Sequence, residues 1–214
     1  MPPPCSRCGT TTTAGAHALC AACLLRLAAL PEALAPDYDI ETLLGSGPAG
    51  TTYLARAANG ALLTVKIVAA VAQDADAVAV ADALRAALVA FDHPGVARTH
   101  AVEVDDDGHL RIVRDYVAGR PLTAWSDKAD AALREQALSA IEAALAAVHA
   151  HGLAHGHLAA ENIVVASGSR PVLVDLGAHL ALDTLQGAAR TSGQMAQEDR
   201  AGLEALRAAL TARP

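Results

Sequence analysis

The sequence predicts an α+β protein in two lobes, a strand-rich half followed by a helical half, with a small cysteine-bearing unit in front. Three observations carry this expectation. Short β-rich runs joined by turn residues fill the chain up to residue 117, and helical patterns dominate beyond it. All four cysteines fall within the first 23 residues. A glycine-spaced turn, Gly45-Ser46-Gly47-Pro48-Ala49-Gly50, separates the first two runs. The expected divisions are residues 1–30 for the cysteine unit, 31–37 for a linker and 38–214 for the main domain. Within that domain the small lobe takes 38–117 and a partial large lobe 118–214.

At 214 residues there is room for one medium domain and a small appendage. The hydrophobic fraction is 53% but much of it is alanine, and aromatics are only 2%, so packing must rest on Leu, Val and Ala. A formal charge of −7 with no basic run argues against nucleic acid or an anionic membrane as partner. The start of the chain lacks the apolar run of a signal peptide, and no apolar stretch is long enough to span a bilayer. A cytoplasmic setting, where thiols stay reduced, is the expectation.

The cysteines come as Cys5-x2-Cys8 and Cys20-x2-Cys23. Two such knuckles can place four thiolates tetrahedrally around one Zn²⁺, at about 2.3 Å each. Gly9 suits the tight turn after the first pair. The competing reading is two disulfides. Paired spacing and a reducing compartment favour a structural zinc with no open coordination position.

Along the chain, residues 24–34 read as a short helix closed by Pro36, and 37–44 as a strand entering the glycine turn. Residues 51–57 and 62–68 read as strands joined by a two-residue Asn59-Gly60 hairpin turn. Residues 74–90 form a helix stopped by His93-Pro94-Gly95, and 96–104 with 109–117 a second hairpin. A long helix follows over 130–150, ending at Gly152. Strands at 163–165 and 172–174 flank a turn at Gly168. A loop is expected to about Met195, then a helix near 199–210.

His155-Gly156-His157-Leu158-Ala159-Ala160-Glu161-Asn162, followed by Asp175-Leu176-Gly177, adds the most specific signal. With the glycine turn and Val65-Lys66-Ile67, these segments resemble the landmarks of serine/threonine protein kinases, in the right order. The resemblance covers residue 38 to the end and implies a two-lobed kinase fold binding ATP and Mg²⁺. It implies that Gly45, Gly47 and Gly50 approach phosphates, Lys66 contacts them, and the backbone of Asp115 to Val117 receives adenine. Asn162 and Asp175 would hold Mg²⁺.

The departures are equally specific. His157 stands where the family has its catalytic aspartate, Ala159 replaces the phosphoryl-facing lysine, and Gly156 replaces the arginine that pairs with a phosphorylated activation loop. Counting back from His93-Pro94 puts Leu84 where the family has the glutamate that pairs with Lys66, with Asp82 on another helix face. Arg114 falls at the back of the adenine pocket with Asp175 as its nearest counter-charge, or points outward on a slipped strand. The segment after Asp175 is short, and residues 198–203 resemble the start of the family's central helix. His149, His151, His155 and His157 form a histidine-rich stretch, but two of them have counterparts in this loop of the family, so a transition-metal site is not the preferred reading. The expectation is a pseudokinase that binds nucleotide weakly or a protein partner. The alternatives are a weak or atypical serine/threonine kinase and a kinase fragment without a stable fold.

Overall fold

The computed structural model describes residues 38–47, 49–68, 75–104, 109–185 and 190–212. The cysteine quartet with its expected zinc, the 24–34 helix and the linker lie outside them.

Alternation of apolar and polar residues builds a five-stranded antiparallel sheet from β1 (Tyr38–Gly47), β2 (Gly50–Ala57), β3 (Leu62–Val68), β4 (Thr99–Val104) and β5 (Leu110–Asp115). Their spatial order is β1-β2-β3-β5-β4. Tyr53, Ala55, Leu63, Val65, Ile67 and Val113 make one apolar layer on this sheet. Val68, Val102, Leu110 and Ile112 face the other way, into the main core. Helix α1 (Ala75–Ala90) packs on β4 and places Ala81, Leu84 and Leu88 in that core, the i, i+3, i+7 spacing of one helix face.

The second half comprises β6 (Gly119–Pro121), α2 (Leu122–Ser126), α3 (Ala131–Ala150), β7 (Ile163–Ala166), β8 (Arg170–Leu173), α4 (Ala178–Leu185) and α5 (Ser192–Thr211). Strands β6, β7 and β8 form a small sheet in that order. Asp130 caps α3 by accepting from the Leu133 amide at 2.8 Å, and Gly152, left-handed at φ 75°, closes its other end. Leu138, Ile141, Leu145 and Val148 of α3 join Leu173, Leu206 and the α1 leucines in one continuous core. The halves are stitched at Val96, which bridges to Leu173.

Three sequence expectations need correction. The turn at Asn59-Gly60 is wider than a two-residue loop: residues 58–60 connect the strands, the Ala57 amide donates to the Ala61 carbonyl, and Gly60 sits at φ 83°. Asn59 Oδ1 accepts from the Ala61 amide at 3.0 Å, which stabilises this longer form. The expected loop after Asp175 contains α4, because Ala178 and Ala181 share a buried helical face. Helix α5 starts at Ser192 rather than near 199, under a capping box in which Thr191 and Gln194 satisfy each other's backbone amides.

Candidate functional site

The site lies where the five-stranded sheet meets the helical half. Lys66 pairs across β2 with Thr52 and across β5 with Ile112, so its side chain shares the inner face with Arg114, whose partner on β3 is Thr64. Lys66 is 6% exposed and Arg114 2%. Both turn toward Asp175, just beyond β8. Lys66 Nζ forms an ion pair with Asp175 Oδ2, and Arg114 Nη1 lies 3.5 Å from Oδ1. Arg114 Nη2 also donates to the Leu176 carbonyl. Burial lowers the Arg114 pKa and Asp175 opposes that shift; a guanidinium stays charged regardless. The outward orientation of Arg114 is thus excluded.

Leu84 is buried in the core, and Asp82 is exposed and paired with Arg85 at 3.1 Å. Helix α1 therefore gives Lys66 no carboxylate from either position. Asp175 takes that part alone. It adopts φ 73°, a left-handed conformation uncommon for a residue with a Cβ but among the more accessible for aspartate.

Of the three loop glycines, Gly50 is required by the chain itself. It sits at φ 111°, and a Cβ there would fall on the Ile67 carbonyl. Gly45 and Gly47 differ: a Cβ at either would meet nothing within 4 Å. Packing gives no reason for their lack of a side chain. Close approach of a ligand's phosphates to bare backbone gives one. Ser46 and Thr51 hydroxyls, 3.1 Å apart, join the two sides of the turn.

The loop carrying His157 is held from behind. Asp199 on α5, fully buried, accepts from the His155 and Gly156 amides, each at 2.8 Å, and meets His149 Nε2 at 3.0 Å. His155 Nε2 donates to the Val174 carbonyl at 2.9 Å, tying this loop to the residue before Asp175. Burial lowers the His155 pKa, while Asp199, the Val174 carbonyl and Asp175 pull it up and Arg114 pushes it down. Gly156 is left-handed at φ 78°, and a Cβ there would lie 3.2 Å from Met195 Sδ. His157 is exposed and stacks on His179, ring centroids 4.4 Å apart. Burial, then the neighbouring His157, lowers the pKa of His179. Asn162 Nδ2 donates to the His157 carbonyl at 2.9 Å, and its own carbonyl accepts from the Val174 amide at 2.9 Å. Asn162 and Asp175 are thereby brought to the same end of β7 and β8. Glu161 is exposed beside them.

The four histidines of this stretch go separate ways: His149 to Asp199, His151 to the edge of Phe91, His155 to Val174 and His157 to His179. Among the described residues no three metal-ligating side chains converge. At the hinge, the Asp115 amide donates to the Arg98 carbonyl at 2.9 Å and the Tyr116 amide to Leu62 at 3.3 Å, with Val117 half-buried beyond. His100 Nε2 meets the Asp115 carboxylate at 2.6 Å.

These residues suit a nucleotide better than a metal. Open glycine backbone beside a buried lysine is the chemistry of a phosphate site. Asp175 is the poor fit. One carboxylate already faces two buried cations, and a divalent ion there would meet Lys66 and Arg114 at close range.

The arrangement as a whole is that of a protein kinase domain. Residues 38–205 match the model of the protein tyrosine and serine/threonine kinase family, and the chain belongs to that family. It is 30% identical over 158 residues to the serine/threonine-protein kinase PkaB of Streptomyces coelicolor, covering 69% of this chain. The chain spans about 38% of the length of that relative. A variant of the Mycobacterium tuberculosis PknI kinase domain superposes with a TM-score of 0.62 at 22% identity, over 83% of this chain and 78% of that one. Another PknI kinase domain structure gives 0.62 at 23% identity, over 79% and 72%. At such identities the likeness speaks for the fold. No described helix is long and apolar enough to cross a membrane.

Sequence reasoning placed Lys66, Arg114, Asn162 and Asp175 together but missed Asp199, His179 and Gly202. Gly202 lets α5 approach the loop, since a Cβ there would fall on the Leu158 carbonyl. The Thr191 to Gln194 capping signature, read in time, would have started α5 early enough to put Asp199 and Gly202 on one face.

Proposed function

We propose that this kinase-family domain is a pseudokinase, a regulatory module that binds nucleotide weakly or a protein partner and does not transfer phosphate at ordinary rates. The observation that carries this reading is the Asp175 carboxylate, engaged by both Lys66 and Arg114. The absence of an aspartate at His157 and of a lysine at Ala159 points the same way. General-base loss alone is worth about 10²–10⁴-fold. From a usual kinase turnover of about 1–100 s⁻¹, the rate falls below ~0.01 s⁻¹. The test is radiolabel transfer to a peptide library. Wild type is expected near background, and His157→Asp alone is expected not to restore ordinary turnover, because Leu84 and Arg114 remain. Turnover typical of active kinases, abolished in Asp175→Ala, would replace this reading with that of a serine/threonine kinase.

We further propose that Cys5, Cys8, Cys20 and Cys23 hold one structural zinc, on the strength of their spacing. Metal analysis of purified protein is expected to find close to one zinc per chain, sharply reduced by Cys20→Ser. Metal-free protein with two disulfides contradicts it.

A further inference from the structure

We infer that Arg114 makes the cleft prefer a 6-oxopurine nucleotide, guanine or hypoxanthine, over an adenine nucleotide. The inference rests on the reading above that the cleft still takes a nucleotide. The strand register fixes which end of the ligand Arg114 meets. Lys66 lies opposite Thr52 of β2, whose neighbour Gly50 packs on Ile67, so the lysine belongs to the phosphate end beside the glycine turn. Arg114 pairs with Thr64, one pleat further from that turn, and is followed at once by residues 115–117, which cross to the helical half. Its guanidinium therefore stands toward the base.

A guanidinium offers five N–H donors and no acceptor. Here Nη2 bonds the Leu176 carbonyl, while Nη1 lies 3.5 Å from Asp175, long for a hydrogen bond. Buried Nε has no hydrogen-bond partner among the described residues. Donors are in surplus at this wall and acceptors are scarce. The 6-amino group of adenine would bring a further donor to it and leave both sides unpaired. The O6 and N7 of a 6-oxopurine bring two acceptors at the spacing that a guanidinium fork fits. Discrimination of this kind amounts to about tenfold to a hundredfold.

Calorimetric titration of the full chain with GTP, ITP, ATP and 2-aminopurine riboside triphosphate tests this, each run with Mg²⁺ and with EDTA. GTP and ITP are expected to bind at least about tenfold more tightly than ATP. The 2-aminopurine nucleotide, which keeps the amino group of guanine but lacks its 6-oxo group, should bind like ATP. Arg114→Met should reverse the order, with ATP gaining and GTP losing. If that variant does not fold, the four ligands on wild type still decide the question. ATP binding as tight as GTP, a preference unchanged in Arg114→Met, or no binding of any nucleotide overturns the inference. Peptide phosphorylation at ordinary rates alongside an intact guanine preference would instead overturn the function proposed above and leave this site standing.

Discussion

Asp175 holds one negative charge between two buried cations, and this arrangement makes its removal costly in a way that removal of Arg114 is not. Asp175→Asn leaves Lys66 and Arg114 facing each other across a neutral amide. Breaking a buried pair from one side costs about 3–5 kcal/mol. Arg114→Met removes one cation, fills a similar volume with apolar atoms and keeps the Lys66–Asp175 pair. Such replacements are often neutral or stabilising. Urea unfolding is expected to show a large loss for Asp175→Asn and little or none for Arg114→Met. Equal losses for both would mean that the ion cluster does not act as one unit. This cluster was legible in the sequence for a simple reason. Strand alternation puts residues 112 and 114 on one face of β5, and the spacing of Lys66, Arg114 and Asp175 within recognised segments left few ways to arrange them.

The elements divide into those that local chemistry dictates and those that only packing does. Helix α3 carries a capping aspartate and a terminal glycine, and both were readable before any fold was known. Helix α4 has neither, and its alanine-rich face contrasts too little with its surroundings to announce a period. The bracing of the His155–Gly156 loop by Asp199 spans more than forty residues of sequence, beyond the reach of local pattern. That bracing has a consequence for pH. His155 is buried and its pKa is lowered, mainly by desolvation. The unfolded chain takes up a proton here below about pH 6.5, while the native state does so only at lower pH. Stability is therefore insensitive to this group above about pH 6.5 and falls as pH drops from there toward the native pKa, by at most about 1.4 kcal/mol per unit. His179 acts in the same direction. Denaturant midpoints measured from about pH 7.5 down to about pH 5.5 should show this slope, and His155→Gln, which keeps a donor for the Val174 carbonyl, should flatten it. A variant with the same slope as wild type would assign the acid sensitivity to other groups.

At the scale of the whole molecule, one apolar core runs from Val68, Leu84 and Leu88 through Ile141 and Leu145 to Leu173 and Leu206. Both halves of the domain contribute to it, so neither half can lose its packing without exposing the other's apolar surface. Unfolding of residues 38–212 should accordingly be a single cooperative transition rather than two, as expected of a domain with a shared core. The cleft lies between those halves, and a ligand there binds only when both are folded. Nucleotide at 100 times its Kd then adds about 2.7 kcal/mol to the whole domain. For a domain of this size, that corresponds to a rise of about 5–10 °C in Tm. Because Asp175 is already neutralised by Lys66 and Arg114, Mg²⁺ has little carboxylate left to bridge to the phosphates. The rise is therefore expected to be the same with Mg²⁺ as with EDTA. Thermal scans of the wild type at matched saturation decide it. A shift that appears only with Mg²⁺ would show that Asp175 releases its two cations to the metal, and that the ion cluster is a resting arrangement rather than a barrier to metal binding.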